Sequence, residues 1–380
     1  MRVVIHATGM TRKNSGVGQY ISQLLPHLVP RLTAADCEVS LLLAEDADLP
    51  GLDGMARIVR LPVVRTKRTW RVFWEHLYVP LVSWSADVYL SLMSVFPFSP
   101  VWGRRKLVVQ QDIYHVLYQI DPSLYPWECS RTRLLYINRA IKRTLNAADG
   151  IITLSQFVAD GLHRHLGVAT DRITIIPCGV DHRRFGVRTD LEQNARIRKR
   201  YGLPERFYLF VGSLALHKNL RLVVDAYAAG GNSEFFFPVA ITYQKQAGRL
   251  FEATARFIEE RGLNDSFRFL GFVPDEDLPL LYRAAQALLY PSFHEGFGIP
   301  PLEAMASGTP VVTSNRTAIP EVVGDAALVI DPTEPWALVE ALHKVNDELT
   351  RQSLIEKGLL RAQAFSWERT AQLMAEVIIA

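Results

Sequence analysis

Short runs of β-branched and apolar residues alternate with longer stretches of helical period along the chain, and each such alternation predicts a strand followed by a helix. In the first half, strands are expected at Val3 to Ala7, Val39 to Ala44, Ile58 to Leu61, Val88 to Leu92, Leu107 to Gln111, Gly150 to Leu154 and Ile173 to Pro177. Helices such as Gln19 to Pro30 and Tyr136 to Ala147 fit between them. The pattern lapses from Gly179 to Pro204, where the chain is polar, basic and poor in sustained apolar runs, which predicts a linker and its first helix. A second series follows, with strands at Phe207 to Val211, Phe236 to Thr242, Phe267 to Leu270, Ala287 to Tyr290, Pro310 to Thr313 and Ala327 to Ile330. The chain therefore reads as α/β, with two doubly wound, Rossmann-like domains that bind ligands at the carboxyl ends of their strands. The domains are expected at 1–180 and 206–363, with a linker at 181–205 and a last helix at 364–380. That helix has Ser366 as N-cap, Glu368 in its first turn, and apolar Trp367, Ala371, Met374 and Ile378 on one face.

At 380 residues with 49% hydrophobic and 21% charged positions, the chain has the make-up of a folded protein with two or three cores, which excludes disordered and disulfide-scaffold classes. Cys37, Cys129 and Cys178 are far apart and form no metal-binding spacing, which points to a reducing compartment and no structural zinc. The opening residues lack the basic and apolar segments of a cleaved signal, and the longest run free of Asp, Glu, Lys and Arg is 17 residues, from Asn14 to Pro30, with several polar side chains in it. A cytoplasmic protein is expected, peripheral at the inner face of the membrane if it touches one.

Residues 1 to 180 carry 20 Lys and Arg against 14 Asp and Glu, while the remainder carries 22 against 25. Much of the first-half excess lies between Arg57 and Trp74, where Arg57, Arg60, Arg65, Lys67, Arg68 and Arg71 interleave with Trp70, Phe73 and Trp74. Such a stretch suits anionic headgroups, and it equally suits a solvated helix face. The modest excess and the lack of a recognition motif speak against nucleic acid as a partner.

The segment LLYPSFHEGFGIPPLEAMASGTPVVTSN, residues 288–315, carries the densest chemistry. A strand ends at Tyr290, a loop follows with Glu295, Gly296 and Gly298, and a helix opens near Pro301. Glycines let backbone approach a ligand, and a helix N-terminus attracts an anion. Glu295 in the loop suits sugar hydroxyls, and Glu303 in the helix suits a ribose, although either alone is an ordinary glutamate.

The string EGFGIPPLEAMASGTPVV closely resembles the EX7E signature of the retaining glycosyltransferases of family 4, which have the two-domain GT-B fold. Gly16, Val17, Gly18, Gln19 and Tyr20 resemble that family's glycine-rich first loop, and VGSLALHKNL its phosphate-contacting block. The run GFVPDEDLPLLYRAAQALLYPSFHEGFG resembles its base- and sugar-contacting region. The likeness covers nearly the whole chain. It implies two domains facing across a cleft, with the C-terminal helix crossing back to the first. It further implies a catalytic role for Lys218, which would neutralise the donor diphosphate, and for Glu295. Donor-binding roles fall on Gly16, Gly18, Gly212, Ser213, His217, Val273, Gly296, Phe297, Gly298, Ile299 and Glu303. Relatives often have Arg where this chain has Ser213 or His217, so either the diphosphate keeps His217 protonated or phosphate stabilisation is weaker. Where relatives read HD after a strand, this chain has Gln111 and Asp112, with His115 one turn on. Asp112 is the acceptor-side catalytic candidate, or else a cap of the next turn. Asn219 could serve as N-cap for the helix that starts at Leu220.

No cofactor and no metal are expected, since Lys218 and a helix dipole can meet the charge, and Asp275, Glu276 and Asp277 read as turn and helix-start residues. The implied reaction moves an α-hexosyl group from a nucleotide sugar, GDP-mannose favoured, to a lipid-linked or saccharide hydroxyl in polysaccharide synthesis. A UDP-sugar donor and a noncatalytic nucleotide-sugar-binding protein are the alternatives. An NAD-dependent enzyme is disfavoured, because Gly16 and Gly18 are followed by no third glycine.

Overall fold

The computed structural model describes residues 1–10, 16–47, 49, 51–52, 54–62, 68–126, 129–187, 191–231, 234–243 and 248–380, without the side chains of 68–72 and 191. Two compact units result: Met1–Val116, Cys129–Gly179 and Ser366–Ala380 form the first, and Leu117–Glu128 with Val180–Phe365 form the second.

The first unit runs β1 (Arg2–His6), α1 (Gly16–Ala34), β2 (Glu38–Ala44), β3 (Arg57–Leu61), α2 (Arg68–Ser83), β4 (Val88–Ser91), β5 (Arg105–Gln110), the start of α3 (Tyr114–Ile120, assigned to the second unit from Leu117 on), α4 (Arg131–Ala147), β6 (Gly150–Thr153), α5 (Gln156–Leu166) and β7 (Ile173–Ile175). Its parallel sheet has the order β3-β2-β1-β4-β5-β6-β7. The second unit continues with α6 (Leu191–Tyr201), β8 (Tyr208–Phe210), α7 (Leu220–Gly230), β9 (Val239–Thr242), α8 (Gly248–Glu259), β10 (Phe267–Gly271), α9 (Leu278–Ala284), β11 (Ala287–Tyr290), α10 (Ile299–Ala306), β12 (Val311–Ser314), α11 (Ile319–Val323), β13 (Leu328–Ile330), α12 (Pro335–Asn346) and α13 (Glu348–Gln363). Its order, β10-β9-β8-β11-β12-β13, repeats that of the first six strands of the first sheet, without a counterpart of β7.

In each sheet the strand order reverses once, between β1 and β4 in the first unit and between β8 and β11 in the second, and such switch points are where ligands of these folds bind. The central strands are buried on both faces, which is why VAIT and ALLY carry no polar alternation. Tyr208, Phe210, Ile241, Leu289 and Val312 from the second sheet pack with Val223 of α7 and Leu342 of α12 into one core.

Strand positions follow the sequence expectation within a residue or two, with one larger difference. Apolar Phe236 and Phe237 precede β9 rather than opening it, because their rings are used elsewhere: Phe236 meets Tyr227 edge-on at 4.6 Å, and Phe237 lies 5.5 Å from Tyr208. The helix expected in the polar stretch after Gly179 is α6, which packs on α9. Arg200 and Tyr201 donate to the buried carboxylate of Asp277 at 2.9 and 2.6 Å. Asp277 occupies the N-cap position of α9 without a side-chain capping bond.

The last helix, α14 (Trp367–Ile379), is capped by Ser366, whose Oγ accepts from the Arg369 amide at 3.1 Å. It packs against α1 in the first unit, with Trp367 edge-on to Tyr20 and the Thr370 hydroxyl donating to the Pro177 carbonyl. A Cβ on Gly179 would sit 2.1 Å from the Trp367 amide nitrogen, so only glycine lets the two chain segments lie together here. Among the described residues, no helix is long and apolar enough to cross a membrane.

Candidate active site

In the second unit, the residues singled out by sequence gather at the switch point, on the segments that leave β8 and β11. After β8 the chain turns through Gly212, whose φ of 144° is glycine territory and whose amide donates to Thr242 Oγ1 at 3.2 Å. Ser213 is exposed, and a short turn, Leu216–Lys218, then leads to Asn219 and α7. Asn219 has left-handed backbone, φ 59°, which asparagine tolerates. Its side chain does not cap α7: Nδ2 donates instead to the carbonyls of Pro291 at 3.1 Å and Pro332 at 2.8 Å. The expected N-cap is thus replaced by a tether on the loop after β11.

That loop is fixed at two further points. The Phe293 amide donates to the His217 carbonyl at 2.8 Å, and the Glu295 amide donates to Thr317 Oγ1 at 3.0 Å. Thr317 is itself left-handed, φ 56°, an uncommon state for a β-branched residue that marks a locally constrained backbone.

Held this way, Lys218 and Glu295 meet. Lys218 Nζ donates to Glu295 Oε1 at 2.6 Å and to the Tyr290 hydroxyl at 2.7 Å, and both charged side chains are 15% exposed. The Tyr290 phenol, raised well above its ordinary range by burial and by Glu295, stays protonated and hydrogen-bonds Glu295 in turn. Burial pushes the Glu295 carboxyl up, but the charge of Lys218, that of His217 once acid protonates it, and the bonds from Lys218 and Tyr290 outweigh it, leaving it below the usual carboxylate range. His217 is pulled down to about 4, by burial first and then by Lys218, so its imidazole is neutral at pH 7.

Gly296, Phe297 and Gly298 lead into α10; Phe297 is buried edge-on to Phe365, and Gly298 takes φ 128° at the N-cap. The helix start is poorer in donors than expected, because Pro300 and Pro301 have no N–H and leave Ile299 as the one first-turn donor of the three. Glu303, one turn into α10, is not a solvent-facing residue: it is 3% exposed and accepts from the Tyr282 hydroxyl at 3.1 Å. Val273 lies half-buried just past β10, at the same end of the sheet.

The remaining candidates belong to the first unit. Gly16 and Gly18 open α1, directly after residues 11–15, which lie outside those described. Asp112 is exposed past the end of β5, with Oδ1 accepting from the Tyr114 amide at 3.0 Å, the turn-capping arrangement. Gln111 donates to the Leu92 carbonyl at 3.3 Å, while His115 is buried and pulled down to about 4 by that burial. Of the basic stretch, Arg65 and Lys67 lie outside the described residues, as do the side chains of Arg68, Trp70 and Arg71; Arg60 is turned to the carbonyls of Glu45 and Ala47.

Sequence reasoning missed Tyr290, Thr317 and the tethering role of Asn219. All three act through contacts 22 to 113 residues distant in sequence, which no local pattern carries. Among the described residues no cluster of His, Cys, Asp and Glu has metal-binding geometry.

Residues 15–184 match the family described as Glycosyltransferase Family 4, and residues 193–361 match Glycosyl transferases group 1. The chain is 36% identical to the O-antigen chain mannosyltransferase B of Escherichia coli over 65% of its own length and 64% of that protein's. It is 26% identical to the O-antigen chain mannosyltransferase RfbU of Salmonella typhimurium over 92% of its length and 93% of that protein's. The chain thus spans less than two thirds of the first of these, and under a third of larger Escherichia coli mannosyltransferases that it also matches. In fold it is similar to the sucrose-phosphate synthase of Thermosynechococcus elongatus, with a TM-score of 0.77 and 23% identity across 99% of this chain and 98% of that one. With residues 15–184 and 193–361 matched in order and the Lys218–Glu295 pair inside the second match, this chain belongs to the glycosyltransferases of family 4.

Proposed function

We propose that the chain transfers an α-mannosyl group from GDP-mannose to a saccharide or lipid-linked hydroxyl, with retention at the anomeric carbon, during assembly of a surface polysaccharide. The observation that carries the transfer chemistry is the Lys218–Glu295 pair at the second switch point, a cation and a carboxylate held where such folds bind their ligands. The O-antigen mannosyltransferases to which the chain is similar support mannose as the sugar and a growing polysaccharide as the acceptor.

In the reaction the bond from the anomeric carbon to the diphosphate breaks with its electron pair passing to the diphosphate oxygen, while the acceptor hydroxyl oxygen bonds to the anomeric carbon on the same face and its proton passes to the departing diphosphate. Lys218 stabilises that oxygen more as charge accumulates than before, which lowers the barrier. As Lys218 turns to phosphate, Glu295 exchanges its ammonium partner for sugar hydroxyls. With serine at 213 and histidine at 217 in place of arginine, Lys218 is the one permanently charged side chain of the Gly212–Lys218 segment available to the diphosphate. Glu303, drawn inward by Tyr282, is the ribose candidate, and Asp112 remains the acceptor-side candidate.

The test is to incubate the chain with GDP-mannose or with UDP-sugars and a mannosylated oligosaccharide, and to read the product anomer by NMR. An α-mannoside formed from GDP-mannose is the expected result. Product from UDP-sugars alone would reassign the donor, an inverted anomer would refute retention, and binding without transfer would leave a nucleotide-sugar-binding protein.

A further inference from the structure

Helix α2 carries a surface that the transfer chemistry does not use. Phe73, Leu77, Leu81 and, just past the helix, Trp84 recur at spacings of four, four and three residues, which places them along one stripe. They are 53%, 46%, 68% and 71% exposed, whereas Glu75, Val79 and Ser83 on the other side are buried. The stripe extends beyond its helix. Trp84 meets Trp102 edge-on at 5.1 Å, and the Trp102 amide donates to Ser83 Oγ. Phe98 stacks on His76 of α2 and lies 5.6 Å from Tyr136 of α4, and Arg143 of α4 donates to the carbonyls of Pro97 and Phe98.

The helix α4 so joined to the stripe exposes Arg131, Arg133, Arg139 and Lys142. Between them α2 and α4 contain one acidic residue, Glu75, and it is buried. The surface therefore combines large exposed apolar side chains with a cationic border and no exposed carboxylate on either helix.

We propose that this face of the first unit docks on a bilayer containing anionic phospholipid. Leu77, Leu81 and Phe73 would enter the headgroup–acyl boundary, Trp84 and Trp102 would sit at headgroup level, and the cations of α4 would lie against lipid phosphates. Among the described residues, the exposed charges of α2 and α4 are all cationic, which matches a uniformly anionic plane. The docking does not depend on the transfer reading, because it is read as vesicle partition and not as turnover.

The full chain is mixed with vesicles of phosphatidylethanolamine and phosphatidylglycerol, or of phosphatidylcholine alone, and floated through a density gradient. The wild type is expected to float with the anionic vesicles, and Leu77→Ser with Leu81→Ser to lower the partition coefficient by on the order of tenfold or more. Arg139→Gln with Lys142→Gln should lower it in dilute buffer and make little difference at high salt. These positions are exposed, so unchanged melting curves and unchanged binding of free nucleotide diphosphate serve as folding controls. Equal flotation by wild type and leucine variant overturns the proposal. So does a wild type that does not float but is a dimer by light scattering and becomes monomeric with the leucine substitutions, which assigns the face to a second copy.

Discussion

The ammonium of Lys218 hydrogen-bonds the carboxylate of Glu295 at 2.6 Å, so the cation expected to meet a diphosphate and the carboxylate expected to meet a sugar neutralise one another in the second unit. Each therefore holds the other in place as well as acting in its own right, and substitution of either exposes both functions.

Replacing Lys218 by Ala should lower turnover by on the order of 100-fold or more, the usual cost of losing one preorganised charge at a leaving group. The variant also leaves a buried carboxylate without its ammonium, so its melting temperature should fall at neutral pH and recover partly in the double variant with Glu295→Gln. Full turnover in a folded Lys218→Ala protein would remove the lysine from the site.

Glu295→Gln separates sugar from phosphate recognition. With Lys218 released from its partner, affinity for free nucleotide diphosphate should hold or rise, while affinity for the intact nucleotide sugar should drop. Titration calorimetry with the two ligands reads the difference, and a parallel loss of both would make Glu295 a loop-holding residue.

Acid should destabilise the protein in two overlapping windows. His217 and His115 bind a proton in the unfolded chain near 6.5 but at about 4 in the fold, so stability declines as pH falls between those values. Glu295, held below its ordinary range, contributes stability above about 4.3 that disappears as pH drops through its folded value. Melting temperatures from pH 7.5 to 4 should therefore fall steadily, and His217→Gln should flatten the upper part of that fall. Parallel curves for variant and wild type would show that His217 is not responsible.

Transfer activity should survive EDTA, because Lys218 supplies the charge that a divalent ion supplies elsewhere. Loss on chelation with recovery in magnesium or manganese would require a carboxylate site not assigned here.

Gly179→Ala should destabilise the first unit, since the new methyl would meet the Trp367 amide nitrogen at 2.1 Å and the Ser366 carbonyl carbon at 2.2 Å, both backbone atoms. Limited proteolysis should then release α14 early. A melting curve and digestion pattern like those of the wild type would contradict the close approach.

The sheets were legible because buried parallel strands are continuous apolar runs, and Ala287–Tyr290 shows the agreement at its closest. Lys218 and Glu295 were legible as residues, because glycines and prolines punctuate the loops that carry them. Their mutual bond was not, since it joins positions 77 residues apart. Glu303 shows the same limit: its helix is evident, but the inward turn of its carboxylate depends on tertiary partners such as the Tyr282 hydroxyl on a neighbouring helix. In α2, Phe73, Leu77 and Leu81 share one stripe, yet the tertiary structure buries the opposite side, and no single-helix pattern decides which side is covered.

Because α14 completes the first unit, the order of synthesis and the order of folding differ. A ribosome delivers everything up to Gly179 well before Ser366–Ala380, a delay of about 10 s or longer at roughly 5–20 residues per second. Throughout that interval the side of α1 that receives Trp367 at Tyr20 is uncovered. The second unit, whose last residue is Phe365, has all its segments made while the first still waits for its closing helix. The half of the nascent chain made first is thus the half that needs shielding longest.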